Sequence, residues 1–180
     1  ADVPTIDWAV REIGKFRMGP FQLMDYIGND INYAVTETVF KEFYYDQRYR
    51  PSFTQKRMVE AGWLGKKTGR GYYDYGEGAE NAIPTENIEL GKRIVHRILL
   101  MLINEAADAL YLNISTRDGI DLAMTKGVNY PKGLLKWADE LGIENVLKGL
   151  NDLQVHKGKD RTKRMVLHKK LGTDTDCFYP

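Results

Sequence analysis

The sequence has a single cysteine, Cys177, in 180 residues. An internal disulfide is therefore excluded, and this composition is typical of a reducing compartment such as the cytoplasm. No run of about 18 apolar residues occurs, so we expect no membrane-spanning helix. The first residues have neither the basic region nor the apolar region of a secretory signal peptide, and we expect none.

The sequence also lacks an excess of charge, because its net charge is +1. A value so close to zero gives no general attraction to nucleic acid or to a membrane. The stretch from His156 to Lys170 is rich in lysine and arginine, but it carries no aromatic residues and no recognisable nucleic-acid module. We interpret it as a solvated helix face and expect neither nucleic acid nor membrane as a partner.

Little of the sequence alternates between apolar and polar residues, which excludes an extensive sheet. Apolar residues instead recur every three or four positions, so we predict an all-α protein with at most a short strand near residues 71–75. The longest predicted helix covers about residues 86–113. Gly19-Pro20 predicts a helix start and Gly28 its end. Asp30 is a candidate cap for the following helix, whose predicted inward residues are Ile31, Ala34, Val35, Val39 and Phe43.

The sequence contains a degenerate internal repeat with a shift of 114 residues. Residues 6–9 (IDWA) correspond to residues 120–123 (IDLA), and the glycines and aspartates that follow also match. These matching pairs are Gly19 with Gly133, Asp25 with Asp139, Gly28 with Gly142, Asp46 with Asp160, and Arg50 with Arg164. The common order of helix, glycine turn, aspartate, glycine and helix indicates a duplication.

The repeat predicts two helical domains, residues 1–84 and residues 85–180. In the second copy the longest helix precedes Ile120, whereas the corresponding helix of the first copy would lie before Ala1. We therefore expect this chain to be the C-terminal part of a longer protein, truncated at the start of its first copy.

Two nucleotide-binding motifs are missing. A G-x-G-x-x-G fingerprint would need a third glycine after Gly69-Arg70-Gly71, and the glycines at 62 and 65 have the wrong spacing for a phosphate-binding loop. We therefore assign no catalytic, cofactor-binding or metal-binding residue to this chain.

Three stretches carry a family resemblance: residues 18–28 (MGPFQLMDYIG), residues 49–52 (YRPS) and residues 64–75 (LGKKTGRGYYDY). They resemble the C-terminal domain of 3-hydroxyacyl-CoA dehydrogenases, including 3-hydroxybutyryl-CoA dehydrogenases. Residues 127–133 (GVNYPKG) and 137–139 (WAD) look like the second such domain of members with a tandem pair. The resemblance covers nearly the whole chain.

The resemblance implies a duplicated helical fold similar to the C-terminal domain of 6-phosphogluconate dehydrogenase. It also implies an oxidoreductase that converts 3-hydroxyacyl-CoA to 3-oxoacyl-CoA in fatty-acid, butyrate or aromatic-acid degradation. In the family NAD is bound by a separate Rossmann domain, which also holds a catalytic His–Glu pair, and that domain is absent from these residues. A family asparagine near the start of the long helix is replaced by His96 in the second copy. We therefore expect this chain alone to be inactive.

Met18, Gly19 and Pro20 are the candidate substrate-binding residues, because the resemblance implies that their turn faces the active-site cleft. The alternative is that they only start a helix. We expect Asp25 and Asp139 to accept hydrogen bonds at helix junctions. Lys66, Lys67 and Arg70 could meet a CoA phosphate, although a solvated turn is the simpler interpretation.

Four further residues are weak candidates. His96 lies among apolar helix residues without an evident nucleophile, so it is interpreted as a packed or partly exposed histidine. His156 and His168 lack further metal ligands, and Cys177 lacks an activating neighbour.

The partners expected are an acyl-CoA substrate in the full-length enzyme and a second copy in a homodimer. We predict an apolar groove along residues 6–13 and 21–27, covered either by the long helix of the same chain or by a second chain. The alternative function is a non-catalytic helical interaction module.

Overall fold

The computed structural model describes residues 1–157 and 177–179. These residues form two compact units. Unit 1 comprises Ala1–Gly14 and Met18–Lys92, and unit 2 comprises Lys15–Arg17 and the described residues from Arg93 onward. The domain boundary predicted after residue 84 concerns the duplicated copies rather than these units, and it stays a prediction.

Unit 1 begins with α1 (Val3–Trp8), which continues into a π-helical turn (Ala9–Ile13). The Asp2 side chain caps α1 by accepting a hydrogen bond from the Thr5 N–H at 3.0 Å. Three further helices follow in unit 1: α2 (Pro20–Ile27), α3 (Asn29–Glu42) and α4 (Phe53–Glu60). Short 3₁₀ turns cover Gln47–Tyr49 and Lys66–Thr68.

The bounds of α2 confirm the predicted helix start and stop. Pro20 occupies the first turn, where its missing N–H has no intrahelical partner to lose. Gly28 ends the helix with φ of 109°, a left-handed conformation that favours glycine.

Two predictions for α3 are wrong. Gly28, not Asp30, is the residue before its first turn, and the Asp30 carboxylate binds Lys67 Nζ at 2.6 Å instead. The predicted inward face is largely solvent-exposed: Ile31 is 49%, Val35 58% and Phe43 42% exposed. The opposite side of α3 packs on α4, because Gln55 Nε2 donates to Asn32 Oδ1 at 2.8 Å and to Thr36 Oγ1 at 3.1 Å. Polar contacts therefore decide which side of α3 faces inward.

The long helix α5 (Ile88–Tyr111) confirms the predicted helix to within two residues at each end. Its first turn belongs to unit 1, where Gly91 lets Trp8 and Ile13 approach so closely that a Cβ would overlap Ile13. Trp8, Ala9 and Val10 are buried. Of the two coverings predicted for the groove along residues 6–13, the long helix of the same chain is the one present, because α5 covers this part of α1.

Unit 2 contains the rest of α5 together with α6 (Arg117–Leu122), a π-helical turn (Ala123–Gly127), α7 (Leu134–Leu141) and α8 (Ile143–Lys157). Its core is a single apolar cluster to which α5 contributes Leu100 and Ile103, α7 contributes Leu135, and α8 contributes Val146, each at most 1% exposed. Interior apolar contacts of this kind supply most of the stability of a helical unit.

The regular elements of the described residues are all helices, joined by turns, an irregular stretch at residues 79–87 and two isolated bridges, Gly65 with Arg70 and Arg70 with Asp74. No strand forms near residues 71–75 in this part of the chain. The predicted all-α class is confirmed. The duplication is confirmed too, because α6, its π-helical turn, α7 and α8 repeat the order and positions of α1, its π-helical turn, α2 and α3.

Candidate functional site

The turn formed by Met18, Gly19 and Pro20 is held by the buried side chain of Asp7. The N–H groups of Phe21 and Gln22 each donate to an Asp7 carboxylate oxygen at 2.9 Å. These are N–H groups of the first turn of α2, which have no intrahelical acceptor. Asp7 on α1 therefore caps α2 from a distance, and negative charge at this helix end is favourable.

Gly19 is required by this cap rather than by its own backbone conformation. Its φ of −71° suits any residue, but a Cβ at this position would overlap the Asp7 carboxylate. The small residue therefore leaves the space in which Asp7 reaches the helix.

Asp25, on the buried side of α2, holds a second turn in the same way. Its two carboxylate oxygens accept the N–H groups of Tyr72 and Tyr73, each at 2.9 Å. The side-chain amide of Asn29 donates to it at 3.0 Å. A Cβ at Gly71 would overlap the carboxylate, so this glycine also makes room for an aspartate.

Tyr73 joins the two aspartates, because its N–H donates to Asp25 and its hydroxyl donates to Asp7. Tyr73 donates to Asp7 at 2.8 Å, and Tyr75 donates to Asp25 at 3.1 Å. We call Asp7, Asp25, Tyr73 and Tyr75 the aspartate–tyrosine network. It links α1, the start of α2 and the turn at residues 71–75 in one closed set of hydrogen bonds.

Burial shifts the proton affinities of the network. It raises the pKa of the Asp7 carboxyl, against the hydrogen bonds from Phe21, Tyr73 and Gln22 that favour the charged form. Burial and the neighbouring carboxylates raise the pKa values of Tyr73 and Tyr75 above their ordinary value. Both tyrosines therefore remain hydrogen-bond donors at neutral pH.

Unit 2 repeats both aspartates of the network and one of its two tyrosines. Asp121 accepts the N–H groups of Leu135 and Lys136 at 2.9 and 3.0 Å, and a Cβ at Gly133 would overlap its carboxylate. Asp139 accepts the N–H groups of Phe178 and Tyr179 at 2.6 and 2.8 Å.

The Tyr179 hydroxyl donates to Asp121 at 3.1 Å, as Tyr73 does to Asp7. Burial, followed by the charge of Asp121, raises the pKa of Tyr179 to about 12. Tyr179 lies 40 residues after Asp139 in unit 2, whereas Tyr73 lies 48 residues after Asp25 in unit 1. The 114-residue shift therefore fails to align Tyr73 with Tyr179.

The structural role predicted for Asp25 and Asp139 is confirmed by these bonds. Asp7, Tyr73 and Tyr179 were missed as members of the network. The signal for Asp7 was present, because Asp7 and Gly19 have the same separation as Asp121 and Gly133. Pairing Tyr73 with Tyr179 requires a gap of eight residues, which a fixed shift does not allow.

Gly19 is buried in the Met18–Pro20 turn, whereas Met18 and Pro20 are half-buried. The helix-start interpretation explains Gly19 and Pro20 without a ligand. Met18 has no such explanation, and its counterpart in the second copy is Lys132, whose Nζ binds the carboxylate of Glu140. Substrate contact by the three residues stays a prediction.

The cations considered for a CoA phosphate have intramolecular partners. Lys66 Nζ lies 5.6 Å from the ring centre of Tyr26 and 5.7 Å from that of Tyr75. Lys67 binds Asp30, and the hydrogen bond from Lys67 lowers the pKa of the Asp30 carboxyl. The Arg70 guanidinium lies 4.0 Å from the ring centre of Trp63. These contacts favour the structural interpretation of all three.

His96 is exposed on α5, and its Nε2 would lie 3.4 Å from a Cβ placed at Gly149 of α8. It is a surface histidine at a close helix contact. Cys177 is half-buried at the start of the segment that contacts Asp139. His168, the His156 side chain and most of the basic stretch lie outside the described residues.

The residues present do not fit NAD. The space beside Gly71 is already filled by the Asp25 carboxylate, and no parallel sheet exists in the described part of the chain to place a pyrophosphate at a helix start. Across residues 1–157 and 177–179 no group of histidine, cysteine and carboxylate side chains is arranged to hold a metal ion. Among the helices described, none is long and apolar enough to cross a membrane.

A sequence model of the 3-hydroxyacyl-CoA dehydrogenase C-terminal domain matches residues 1–75 and 94–179. These two stretches coincide with the two copies. The chain belongs to the 3-hydroxyacyl-CoA dehydrogenase C-terminal domain family.

The relatives include a dehydrogenase and a multifunctional protein. The chain is 28% identical to 3-hydroxyadipyl-CoA dehydrogenase of Escherichia coli K12, over 87% of the chain and 51% of that protein. It is 30% identical to the peroxisomal fatty acid beta-oxidation multifunctional protein AIM1 of Arabidopsis thaliana, over 84% of the chain and 24% of that protein.

The crystal structure of 3-hydroxybutyryl-CoA dehydrogenase from Escherichia coli K12 matches 93% of the chain and 53% of that structure. The TM-score is 0.83 and the identity is 27%. The chain therefore spans about half the length of these bacterial relatives.

Substituting Tyr73→Phe tests the aspartate–tyrosine network. Removing the hydroxyl takes one charge-assisted donor from Asp7, so we expect the free energy of unfolding to fall by about 1–3 kcal/mol in urea melts followed by circular dichroism. Tyr72→Phe is the matched control, because Tyr72 contributes its N–H to Asp25 while its ring packs on Phe21. Equal losses in the two variants would contradict the assignment.

Asp30→Asn tests the pairing with Lys67 through its pH dependence. Because the folded pKa of Asp30 is lowered, its ionised form adds stability above the pKa of the unfolded chain, and this stability is lost as pH falls through the folded pKa. The pair is exposed, so the expected loss at pH 7 is below about 1 kcal/mol. The difference in free energy of unfolding between Asp30→Asn and the parent chain should vanish in acid. The control Glu80→Gln should have the same free energy of unfolding as the parent chain both at pH 7 and in acid.

Proposed function

We propose that this chain is the C-terminal helical part of an NAD-dependent 3-hydroxyacyl-CoA dehydrogenase. The observation that carries the proposal is the match of both copies to the C-terminal domain of that family, together with relatives whose names specify CoA thioesters. The reaction would oxidise the 3-hydroxyl of an acyl-CoA to a ketone in fatty-acid, butyrate or aromatic-acid degradation. We assign no residue of this chain to bind the NAD that accepts the hydride, and none to act as the catalytic base.

The part played by this chain would be to shape the acyl-CoA cleft. Met18, Gly19 and Pro20 are the proposed contact residues, and the Asp7 cap supports them by fixing the backbone of their turn. A rigid turn positions a substrate without losing conformational entropy on binding. A cytoplasmic location, predicted from the single cysteine, remains part of the proposal.

Activity should reside in the longer protein. We expect it to reduce acetoacetyl-CoA with NADH, measured by NADH absorbance, and Met18→Ala to lower kcat/KM about tenfold by loosening substrate placement. Lys132→Ala, at the equivalent turn of the second copy, is the matched control and should leave kcat/KM unchanged. The 180-residue chain alone should show neither turnover nor tight NAD binding, since its described residues contain no dinucleotide-binding fold.

Absence of turnover in the longer protein would favour the alternative, a non-catalytic helical module. Turnover by the 180-residue chain would contradict the assignment of the cofactor site to another part of the protein.

A homodimer is the second part of the proposal, and the exposed side of α3 supports it. Ile31, Ala34 and Val35 lie exposed on one side of this helix, as do Leu23 and Ile27 on α2. The equivalent positions of α3 in the second copy are Asn145, Lys148 and Gly149. Gly149 packs closely on Leu100 of α5, but Asn145 and Lys148 are polar and exposed where the first copy has exposed apolar residues. This difference supports a contact surface specific to the first copy.

Light scattering at micromolar concentration tests the dimer. We expect twice the 20.7 kDa mass of the chain. Val35→Glu should convert the dimer to a monomer, because it places a charge in an apolar contact. Lys148→Glu is the control in the second copy and should not change the mass. A monomer of 20.7 kDa in the unsubstituted chain would exclude this part of the proposal.

A further inference from the structure

Residues 177–179 fasten α6 to α7, and we call them the strap. The N–H groups of Phe178 and Tyr179 donate to the Asp139 carboxylate of α7 at 2.6 and 2.8 Å. The Tyr179 hydroxyl donates to the Asp121 carboxylate of α6 at 3.1 Å. The strap thus bridges two helices through hydrogen bonds to charged acceptors, which are among the stronger hydrogen bonds in proteins.

The strap also has contacts of the kind that hold a bound peptide. Arg117, the first residue of α6, donates from its guanidinium to the Phe178 carbonyl, and the same group lies 5.2 Å from the ring centre of Tyr179. Phe178 is 7% exposed and belongs to the apolar cluster of unit 2. Backbone hydrogen bonds combined with a pocket for a side chain are the means by which many proteins recognise extended peptides.

The carboxylates that hold the strap are less buried than their counterparts in unit 1. Asp7 and Asp25 are 2% and 1% exposed, whereas Asp121 and Asp139 are half-buried. A fully buried carboxylate that loses its donors becomes an uncompensated charge, which is very costly. A half-buried carboxylate can instead accept hydrogen bonds from water. Opening the closing segment should therefore cost less free energy in unit 2 than in unit 1.

Asp139 also has fewer partners than Asp25. Besides two backbone N–H groups, Asp25 accepts the amide of Asn29 at 3.0 Å and the hydroxyl of Tyr75 at 3.1 Å. Asn29 corresponds to Ile143 under the 114-residue shift, and isoleucine has no side-chain donor. Among the described residues, Asp139 accepts hydrogen bonds from the strap alone. Release of the strap therefore breaks no hydrogen-bond network beyond its own contacts.

We propose that the strap opens without unfolding of unit 2, and that the slot beneath it is a binding site for a Phe-Tyr peptide segment, filled by the strap itself in the closed state. Segments with few buried contacts open at a lower free energy than the whole structure. Phe178 is the only buried residue of the strap, so its release vacates an apolar slot beside Asp139 and Arg117. The site belongs to the 180-residue chain whatever reaction the longer protein catalyses.

Alkylation of Cys177 in the full chain measures opening of the strap. Cys177 is the only cysteine in the sequence and is half-buried in the closed strap. We expect iodoacetamide to label it at a rate nearly independent of urea until the helices unfold, because opening exposes little surface. Labelling is measured by mass spectrometry and unfolding by circular dichroism. A labelling rate that rises in proportion to the unfolded fraction at every urea concentration would overturn the proposal.

Two tyrosine variants separate strap opening from unfolding. Tyr179→Phe removes the bond to Asp121, so we expect Cys177 to be labelled about tenfold faster in the absence of urea. Tyr73→Phe is the matched control, because it removes the equivalent hydroxyl bond to Asp7 in unit 1, and it should leave the labelling rate unchanged. Equal acceleration in both variants, or none in Tyr179→Phe, would contradict a locally opening strap.

Binding of a separate peptide tests the slot. The probe is a fluorescent peptide of residues 176–180 with serine in place of Cys177, and its binding to the full chain is measured by fluorescence anisotropy. Phe178→Ala empties the slot, so we expect this variant to bind the peptide about tenfold more tightly than the parent chain, whose own strap competes at high effective concentration. Leu23→Ala shortens an exposed side chain of unit 1 and is the control, which should bind as weakly as the parent chain.

Peptide binding should depend on the phenylalanine. Replacing it by alanine in the peptide should abolish binding, because the apolar slot is then left unfilled. Equal binding of the two peptides, or no binding to a Phe178→Ala chain that keeps its helical circular dichroism, would exclude the peptide site. Loss of the helical signal in Phe178→Ala would also overturn the proposal, because the strap would then be part of the cooperative fold of unit 2. A longer protein without turnover would remove the proposed function and leave these outcomes unchanged.

Discussion

The hydrogen bonds accepted by Asp7 determine how unit 1 is assembled. A single buried carboxylate accepts two backbone N–H groups of α2 and one tyrosine hydroxyl. Without these donors it would be an uncompensated buried charge, which is far more costly than a missing surface contact. The position of α2 relative to α1 is therefore specified by a polar constraint as well as by apolar packing.

This constraint explains why the two units share a framework although their interiors differ. Unit 2 has a continuous apolar cluster around Leu100, Leu135 and Val146. In unit 1 the position equivalent to Val146 is Asn32, which bonds to Gln55 of α4. What the units have in common is the pair of aspartates, the glycines beside them and the tyrosine that closes each network.

Features that depend on neighbouring residues were predicted correctly from the sequence. Features that depend on contacts between distant residues were not. Pro20 and Gly28 bound α2 as expected, because their backbone preferences act locally. The inward side of α3 was predicted wrongly, since periodicity alone favours burying Ile31 and Val35, and the bonds from Gln55 turn Asn32 and Thr36 inward instead. Tyr73 was missed because its partner Asp7 lies 66 residues away. The repeat identified Asp25 and Asp139 because they occupy equal positions in both copies.

The last residues of the two networks lie at different places along the chain, which affects the order in which the two units can be completed during synthesis. In unit 1 the closing residues, Tyr72 and Tyr73, precede the whole of α5 in the chain. In unit 2 the closing residues are Phe178 and Tyr179, which follow every helix that they fasten. All members of the first network are therefore synthesised while most of unit 2 is still missing. Asp139, in contrast, gains its donors only after α8 has been synthesised.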